Sequence, residues 1–164
     1  MSNFFRSLDV VIEQVSAWRS EDSSIVFTNG CFDILHPGHI HCLQQAKSMG
    51  DYLVVGLNSD DSVRRLKGEA RPYHDQDQRA MQLMALSCVD VVVLFSEDTP
   101  KEVIYSLKPD ILVKGGDYTE KEVVGGDYVR SLGGRVEIID LLQGHSTTKI
   151  LNFVHSQKKG NHDI

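Results

Sequence analysis

The sequence predicts an α/β fold, a Rossmann-like doubly wound parallel sheet with helices on both faces, in a single domain. Three observations predict it. Five short runs, IVFTN, DYLVVGLN, DVVVLF, DILVKG and RVEIID, are rich in β-branched residues, the composition of strands. They are nearly continuous in apolar character, as in a sheet covered on both sides. Segments of helical pattern alternate with them, which is the order of a parallel sheet built from βαβ units. A length of 164 residues is that of one domain.

In chain order, Phe4, Phe5, Leu8, Val11, Ile12, Val15 and Trp18 recur at helical spacing, so an amphipathic helix is expected from about Asn3 to Trp18. The polar stretch RSEDSS follows, and residues 1–23 form an N-terminal helix and linker ahead of a main domain at 24–155. The run Ile25–Asn29 is a buried strand. Pro37 opens the next helix and Gly50 ends it. DYLVVGLN is a strand. SDDSVRRLK opens with a capping serine and two acids, as a short helix does. DQDQRAMQLMALSCV is a helix, DVVVLF a strand, TPKEVIYSLK a helix, DILVKG a strand, GDYVRSLGG a helix, RVEIID a strand and STTKILNFVHS the closing helix. The polar QKKGNHDI is expected to fray, with 156–164 as a flexible tail.

Composition narrows the function. The net charge of −6 argues against a broad nucleic-acid surface, which needs lysine and arginine against phosphate. No apolar run of membrane-spanning length occurs, and Arg6, Asp9 and Glu13 interrupt the N-terminus where a signal peptide would be apolar. Cys31, Cys42 and Cys88 lack CxxC spacing, so neither a disulfide framework nor a zinc site is expected, and a reducing cytoplasm suits them.

Two motifs follow strand ends, where ligands bind in such sheets. In FTNGCFDILHPGH, Pro37 keeps His36 extended and starts the helix, so His39 falls in its first turn. Both imidazoles then border a helix N-terminus, whose unpaired N–H groups and dipole favour an anion. Gly38 leaves room for close approach. Taken alone, an H-x-x-H is as readily a pair of capping histidines or a metal pair, but no third zinc ligand is evident. In QGHSTTKI, Ser146, Thr147 and Thr148 place hydroxyls at another helix start, which is either a second phosphate cradle or an ordinary cap. Between them lie Arg64, Arg65, Lys67, Arg71 and Arg79, a basic cluster readable as a solvated face or an anion site. Arg79 is expected to be structural, pairing with an acid on its own helix. LVKGGDY is a glycine turn after a strand, in which Asp117 either caps the turn or accepts from a ribose hydroxyl or an adenine amine. Cys31 is a packing residue rather than a nucleophile. His41 and Cys42 point elsewhere on their helix. The second GGDY, at Gly125, is chance.

NGCFDILHPGH together with HSTTKI resembles the HxGH nucleotidyltransferase superfamily of cytidylyltransferases and adenylyltransferases. The resemblance runs over roughly Ser24–Phe153. With NSDDSVRRLKGEARP, DTPKEVIYSLKPDILVKGGDY and GGRVEIIDLLQGHSTTKI it is most similar to the adenylyltransferase domain acting on D-glycero-β-D-manno-heptose 1-phosphate, a step towards lipopolysaccharide. The resemblance implies AMP transfer from ATP to the sugar phosphate by direct in-line attack, with loss of pyrophosphate. It implies catalytic roles for His36, His39 and Lys67. It implies nucleotide contacts from Thr28, Asn29, Gly30, Cys31, Phe32, Gly38, Lys114, Gly115, Asp117, Ser146, Thr147 and Thr148. Arg71 is implied to hold the sugar phosphate, and Asp33 is expected in the substrate site with it; as a residue beside the HPGH turn, Asp33 either orients that turn through backbone N–H groups or assists a metal through water. Mg²⁺ would come with ATP, with no protein side chain expected as its ligand. A homodimer or larger homo-oligomer and a separate heptose kinase complete the expectation. Alternatives are a cytidylyltransferase acting on glycerol 3-phosphate or another sugar phosphate, a heptose 1-phosphate enzyme using another nucleotide, and a non-catalytic nucleotide sensor. His145, before the serine, departs from the apolar or small residue that relatives often carry.

Overall fold

A computed structural model describes residues 4–5, 7–140 and 142–160. Its strands are β1 (Phe4–Phe5), β2 (Ile25–Gly30), β3 (Tyr52–Asn58), β4 (Val91–Phe95), β5 (Ile111–Gly115) and β6 (Arg135–Ile139). Its helices are α1 (Leu8–Ser20), α2 (Pro37–Ser48), α3 (Asp60–Lys67), α4 (Gln76–Met84), α5 (Lys101–Leu107), α6 (Gly126–Ser131) and α7 (Thr147–Gly160). The strands form one sheet in the order β1-β4-β3-β2-β5-β6, and each of its pairings is parallel.

Strand alternation divides the core. Ile25, Phe27, Val54, Val91, Val93 and Leu112 face α1, α5 and α6, packing on Val11, Val15, Val103, Ile104, Leu107 and Val129. Val26, Leu53, Val55, Val92, Ile111 and Val113 face the other way, onto Leu43 and Ala46 of α2 and Ala80 and Leu83 of α4. Successive residues thus serve opposite layers, which is why the strands read as unbroken apolar runs.

The order places a switch beside β2. From β2 the chain steps to β3 and β4 on one side, then crosses to β5 and β6 on the other. β2 pairs with β3 over six residues, from Ile25 to Gly30, but with β5 only at Val26–Ile111 and Phe27–Leu112. The carboxyl ends of β2 and β5 therefore separate and open a crevice, the place where open α/β sheets take ligands.

Two expectations are corrected at the ends. The N-terminal segment is not one helix from Asn3 to Trp18. Phe4–Phe5 pair with Val92 and Val93 at the edge of β4, and the helix starts at Leu8 and runs to Ser20. The backbone groups of an edge strand are a ready template, and pairing with them outcompetes two further residues of helix. Asn3 lies outside the described residues. At the other end α7 continues through Gly160, into the stretch expected as tail, and residues 161–164 lie outside the described set. No helix among the described residues is long and apolar enough to cross a membrane.

Candidate active site

A cleft of about 520 Å³ lies over the crevice. One wall is the β2–α2 turn with His36, Gly38 and His39, together with His145, Ser146 and Thr147 ahead of α7. The opposite wall is made by the loops after β4 and β5, with Asp98, Thr99, Pro100, Tyr118, Glu122, Val123 and Val124. The floor is Thr28 to Asp33, and Lys67, Lys114 and Gly115 border it.

The sequence of the β2–α2 turn explains its shape. His36 is extended (φ −142°, ψ 167°) and caps α2, with Pro37 as the first helical residue. Its Nδ1 accepts the Gly38 N–H at 3.1 Å. The ring proton is therefore on Nε2, where it can donate. A Cβ on Gly38 would lie 2.9 Å from His36 Cε1, so the glycine is needed first for the imidazole to fold back on the helix start. The His36 and His39 rings stack with centroids 3.8 Å apart, and Phe32 meets His39 edge-on at 5.3 Å. Phe32 itself has φ +46°, a conformation uncommon outside glycine and often found at functional sites.

Burial lowers the pKa of both histidines. His39 falls to about 4, through burial first and then the charges of His36 and Lys67. His36 falls through burial and through His145. His39 Nδ1 is buried without a hydrogen bond of good geometry, although the Ile34 carbonyl pulls weakly towards the protonated ring. Both rings are thus neutral at pH 7.

The second motif meets the first. Thr147 Oγ1 donates to the Ile34 carbonyl at 3.5 Å, across 113 residues of sequence. Ser146 Oγ accepts from Lys149 N at 3.2 Å and so caps α7. His145 stands 3.6 Å, at its Cβ, from the position a Gly38 side chain would take. The starts of α2 and α7 therefore converge, and with them two sets of free backbone N–H groups.

Behind the cleft, two arginines hold the loops. Asp33, 2% exposed, accepts from Arg71 Nε at 2.5 Å, Tyr73 N at 2.7 Å and His74 N at 3.2 Å. Burial pushes its carboxyl up, but Arg71 and these N–H groups outweigh it and hold the pKa below the ordinary value. Arg79 is 0% exposed and donates to the carbonyls of Cys31, Asn58 and His74 and to Asp60 Oδ1, at 2.7 to 3.0 Å. It is structural, as expected, but its acid is on α3 rather than on its own helix. Lys67 is the last residue of α3, after which Gly68 at φ +99° turns the chain away and leaves the lysine at the cleft's edge.

Most of the predicted site comes together. His36, His39, Lys67, Thr28 to Asp33, Gly38, Lys114, Gly115, Ser146 and Thr147 all border one cleft. Arg71, Asp117 and Thr148 do not line it. Arg71 is turned to Asp33. Asp117 is exposed beyond Gly116 at φ +118°, and Tyr118 faces the cleft in its place. Thr148 is exposed, one residue further round α7 than Thr147. Cys42, expected to point elsewhere, lines the cleft, and its Sγ lies 2.9 Å from where a Gly115 side chain would begin. The wall from Asp98 to Pro100 carries no motif, and only its position after β4 marks it. Burial raises the Cys31 pKa against the pull of Lys67, Arg79 and Lys114, so it stays a thiol. Among the described residues no group of three His, Cys, Asp or Glu side chains gathers as a metal-binding set.

Known proteins resemble this chain over most of its length. The family described as Cytidylyltransferase-like matches residues 27–157. The "Bifunctional protein HldE" of Syntrophotalea carbinolica is 61% identical over 133 residues, covering 81% of this chain and 27% of that protein. The same-named protein of Geobacter metallireducens is 56% identical over 147 residues, covering 90% and 30%. The chain thus spans less than a third of the length of these relatives. Among solved structures, a lipopolysaccharide core biosynthesis protein from Thermoplasma volcanium superposes with a TM-score of 0.60 at 33% identity, over 75% of this chain and 99% of that one. A pantoate-beta-alanine ligase from Francisella tularensis superposes with a TM-score of 0.61 at 17% identity, over 95% and 78%, a likeness of fold. The HPGH and HSTT segments that meet on one wall of the cleft both fall inside the matched span, and the chain belongs to the cytidylyltransferase-like family.

Proposed function

We propose that this chain transfers AMP from MgATP to D-glycero-β-D-manno-heptose 1-phosphate, giving ADP-heptose and pyrophosphate. One observation carries the reading: the starts of α2 and α7, far apart in sequence, share one cleft with the imidazoles of His36 and His39 and the hydroxyls of Ser146 and Thr147. That is a seat for a polyphosphate, and among the described residues no carboxylate pairs with either imidazole. The resemblance of Ser24–Phe153 to the heptose-specific domain supplies the acceptor. These substrates put the reaction in the cytoplasm, where ATP is made.

In the reaction an oxygen of the sugar phosphate attacks the α-phosphorus in line. The bond from the α-phosphorus to the bridging oxygen breaks, and its electron pair leaves with pyrophosphate. The nucleophile is already an anion at pH 7, so no side chain has to remove a proton. The protein's task is to hold the ends in line and to stabilise charge on the equatorial and leaving oxygens. His36, its Nδ1 held by Gly38 N–H, presents Nε2–H to those oxygens. His39, neutral at pH 7, gains affinity for a proton as polyphosphate charge arrives beside it. Ser146, Thr147 and the N–H groups of α7 serve the outer phosphates, and Lys67 faces the reacting centre. Thr28 to Phe32, Gly115 and the loop of Asp117 line the nucleoside side. Mg²⁺ enters on ATP as part of the substrate and is held mainly by phosphate oxygens and water.

Pyrophosphate release tests this, measured with ATP, CTP, GTP and UTP against a panel of sugar and polyol phosphates. ATP with heptose 1-phosphate should be the best pair. Faster turnover of CTP with glycerol 3-phosphate would replace the reading with a cytidylyltransferase, and no turnover of any pair would leave a nucleotide sensor. His39→Ala should lower kcat about 100-fold or more with folding unchanged, the usual effect of losing one transition-state donor.

A further inference from the structure

Lys114 sits where an ammonium is hard to keep. It lies two residues past Leu112, the last β5 residue paired with β2, so it stands in the opening between the two strands, level with Asn29. It lines the cleft, and among the described residues its Nζ has no carboxylate or carbonyl partner. Its Nζ lies 5.4 Å from the centroid of the Tyr118 ring. Burial is the largest influence on its pKa and lowers it. A partly buried ammonium without a counter-charge is costly, and an anionic ligand would relieve that cost.

Which anion follows from where the charges stand. Lys67 acts on His39 and on Cys31. Lys114 acts on Cys31 and Cys42. By strand alternation Lys114 projects on the face of Leu112, towards α1, α5 and α6, whereas α2, which carries His39, covers the face of Val113, so the lysine stands on the other face of the sheet end from the HPGH turn. The imidazole side, with α2 and α7, is the seat of the leaving pyrophosphate. In-line displacement requires the attacking phosphate to enter from the opposite side, and Lys114 is the cation there. The wall beyond it suits a polyol: Asp98 Oδ1 is held by Arg65 and Glu122 Oε2 by Thr119, leaving Oδ2 and Oε1 for sugar hydroxyls beside Thr99 and Tyr118. We propose that Lys114 is a further catalytic residue that binds the phosphate of the acceptor on the attacking side of the α-phosphorus, while Lys67 serves the leaving side. This rests on the nucleotidyl-transfer reading given above and assigns one ligand of that reaction to one side chain.

The test uses Lys114→Met, which keeps the stem and removes the charge, and Lys114→Arg. Thermal melting of the unliganded proteins comes first. Lys114→Met should melt no lower than wild type, whereas a lower melting temperature would mark the lysine as structural and overturn the proposal. In steady-state kinetics, Lys114→Met should lower kcat/KM for the sugar phosphate about 100-fold while the KM for ATP moves less than about 3-fold. Lys114→Arg should recover part of the loss. An equal rise in the KM for ATP would place the lysine on the nucleotide and overturn the proposal. If wild type itself turns over no pair of substrates, the transfer reading has failed, and a second measurement still decides the role of Lys114. Reductive methylation, read by mass spectrometry, is run with the non-transferable analogue MgAMPCPP, with and without inorganic phosphate. Protection of Lys114 that requires the added phosphate supports an acceptor-phosphate site, and full protection by the nucleotide alone overturns it.

Discussion

Replacing Arg79 with methionine should remove a large share of the stability of this domain. The side chain is fully buried, and four acceptors depend on it: the carbonyls of Cys31, Asn58 and His74, and Asp60 Oδ1. Methionine fills most of the volume and donates to none of them. A buried acceptor left unpaired costs about 1–3 kcal/mol. Asp60 is 22% exposed at its side chain, so water reaches it and moderates the loss. Breaking one side of a buried ion pair costs about 3–5 kcal/mol, and we expect a loss in that range, from a total of the order of 5–15 kcal/mol. For a chain of this length it corresponds to a melting temperature lower by roughly 10 °C. Urea unfolding followed by circular dichroism at neutral pH measures it. A loss below about 1 kcal/mol with an unchanged m-value would refute the role assigned to the four bonds. Arg79→Lys should fall between, because one ammonium can keep the charge near Asp60 but cannot span all four acceptors. Activity should fall in both variants even where they are folded, since Arg79 ties the floor of the cleft at Cys31 to the loop at His74.

Two further outcomes follow from the HPGH turn. The pKa of folded His39 is about 4 against an ordinary value near 6.5, so between those values the unfolded chain binds the extra proton. Stability should therefore decline as pH falls from about 6.5 to about 4, by up to about 3 kcal/mol from His39, with His36 acting in the same direction. Urea titrations at several pH values should show this slope, and His39→Asn should lose most of it, whereas an unchanged slope would place its origin elsewhere. Gly38→Ala should keep the fold and lower kcat by at least about 10-fold, because its Cβ would meet His36 Cε1 at 2.9 Å and Nδ1 at 3.0 Å and push the imidazole off the helix start. Wild-type kcat in that variant would show that the placement of His36 is not needed.

Much of the architecture could be read from local pattern. The five longer strands lie where short apolar runs lie, because burial on both faces demands apolar residues at every position. Ser59 caps α3, Asp75 forms a capping box with Gln78, and Pro37 opens α2. In each case the signal and the structure it produces lie within four residues. β1 was misread because Phe4 and Phe5 fit a helical stripe as well as a strand, and the edge of β4 that decides between them is some 88 residues away.

The chain alone therefore determined the parallel α/β class, the placement of the HPGH and HSTT segments at strand ends and helix starts, and the chemical types available for holding phosphate. The tertiary structure decided which of those groups act together. It turned Arg71 onto Asp33 rather than into the cleft, buried Arg79 under the floor, brought His145 against Gly38 and Cys42 against Gly115, and left Lys114, among the described residues, without a counter-charge in the gap between β2 and β5. The reason is physical: periodicity and capping are set by neighbours along the chain, whereas the partner of a charged or polar side chain is set by whatever the packing of distant elements brings within hydrogen-bond reach, here across as many as 113 residues.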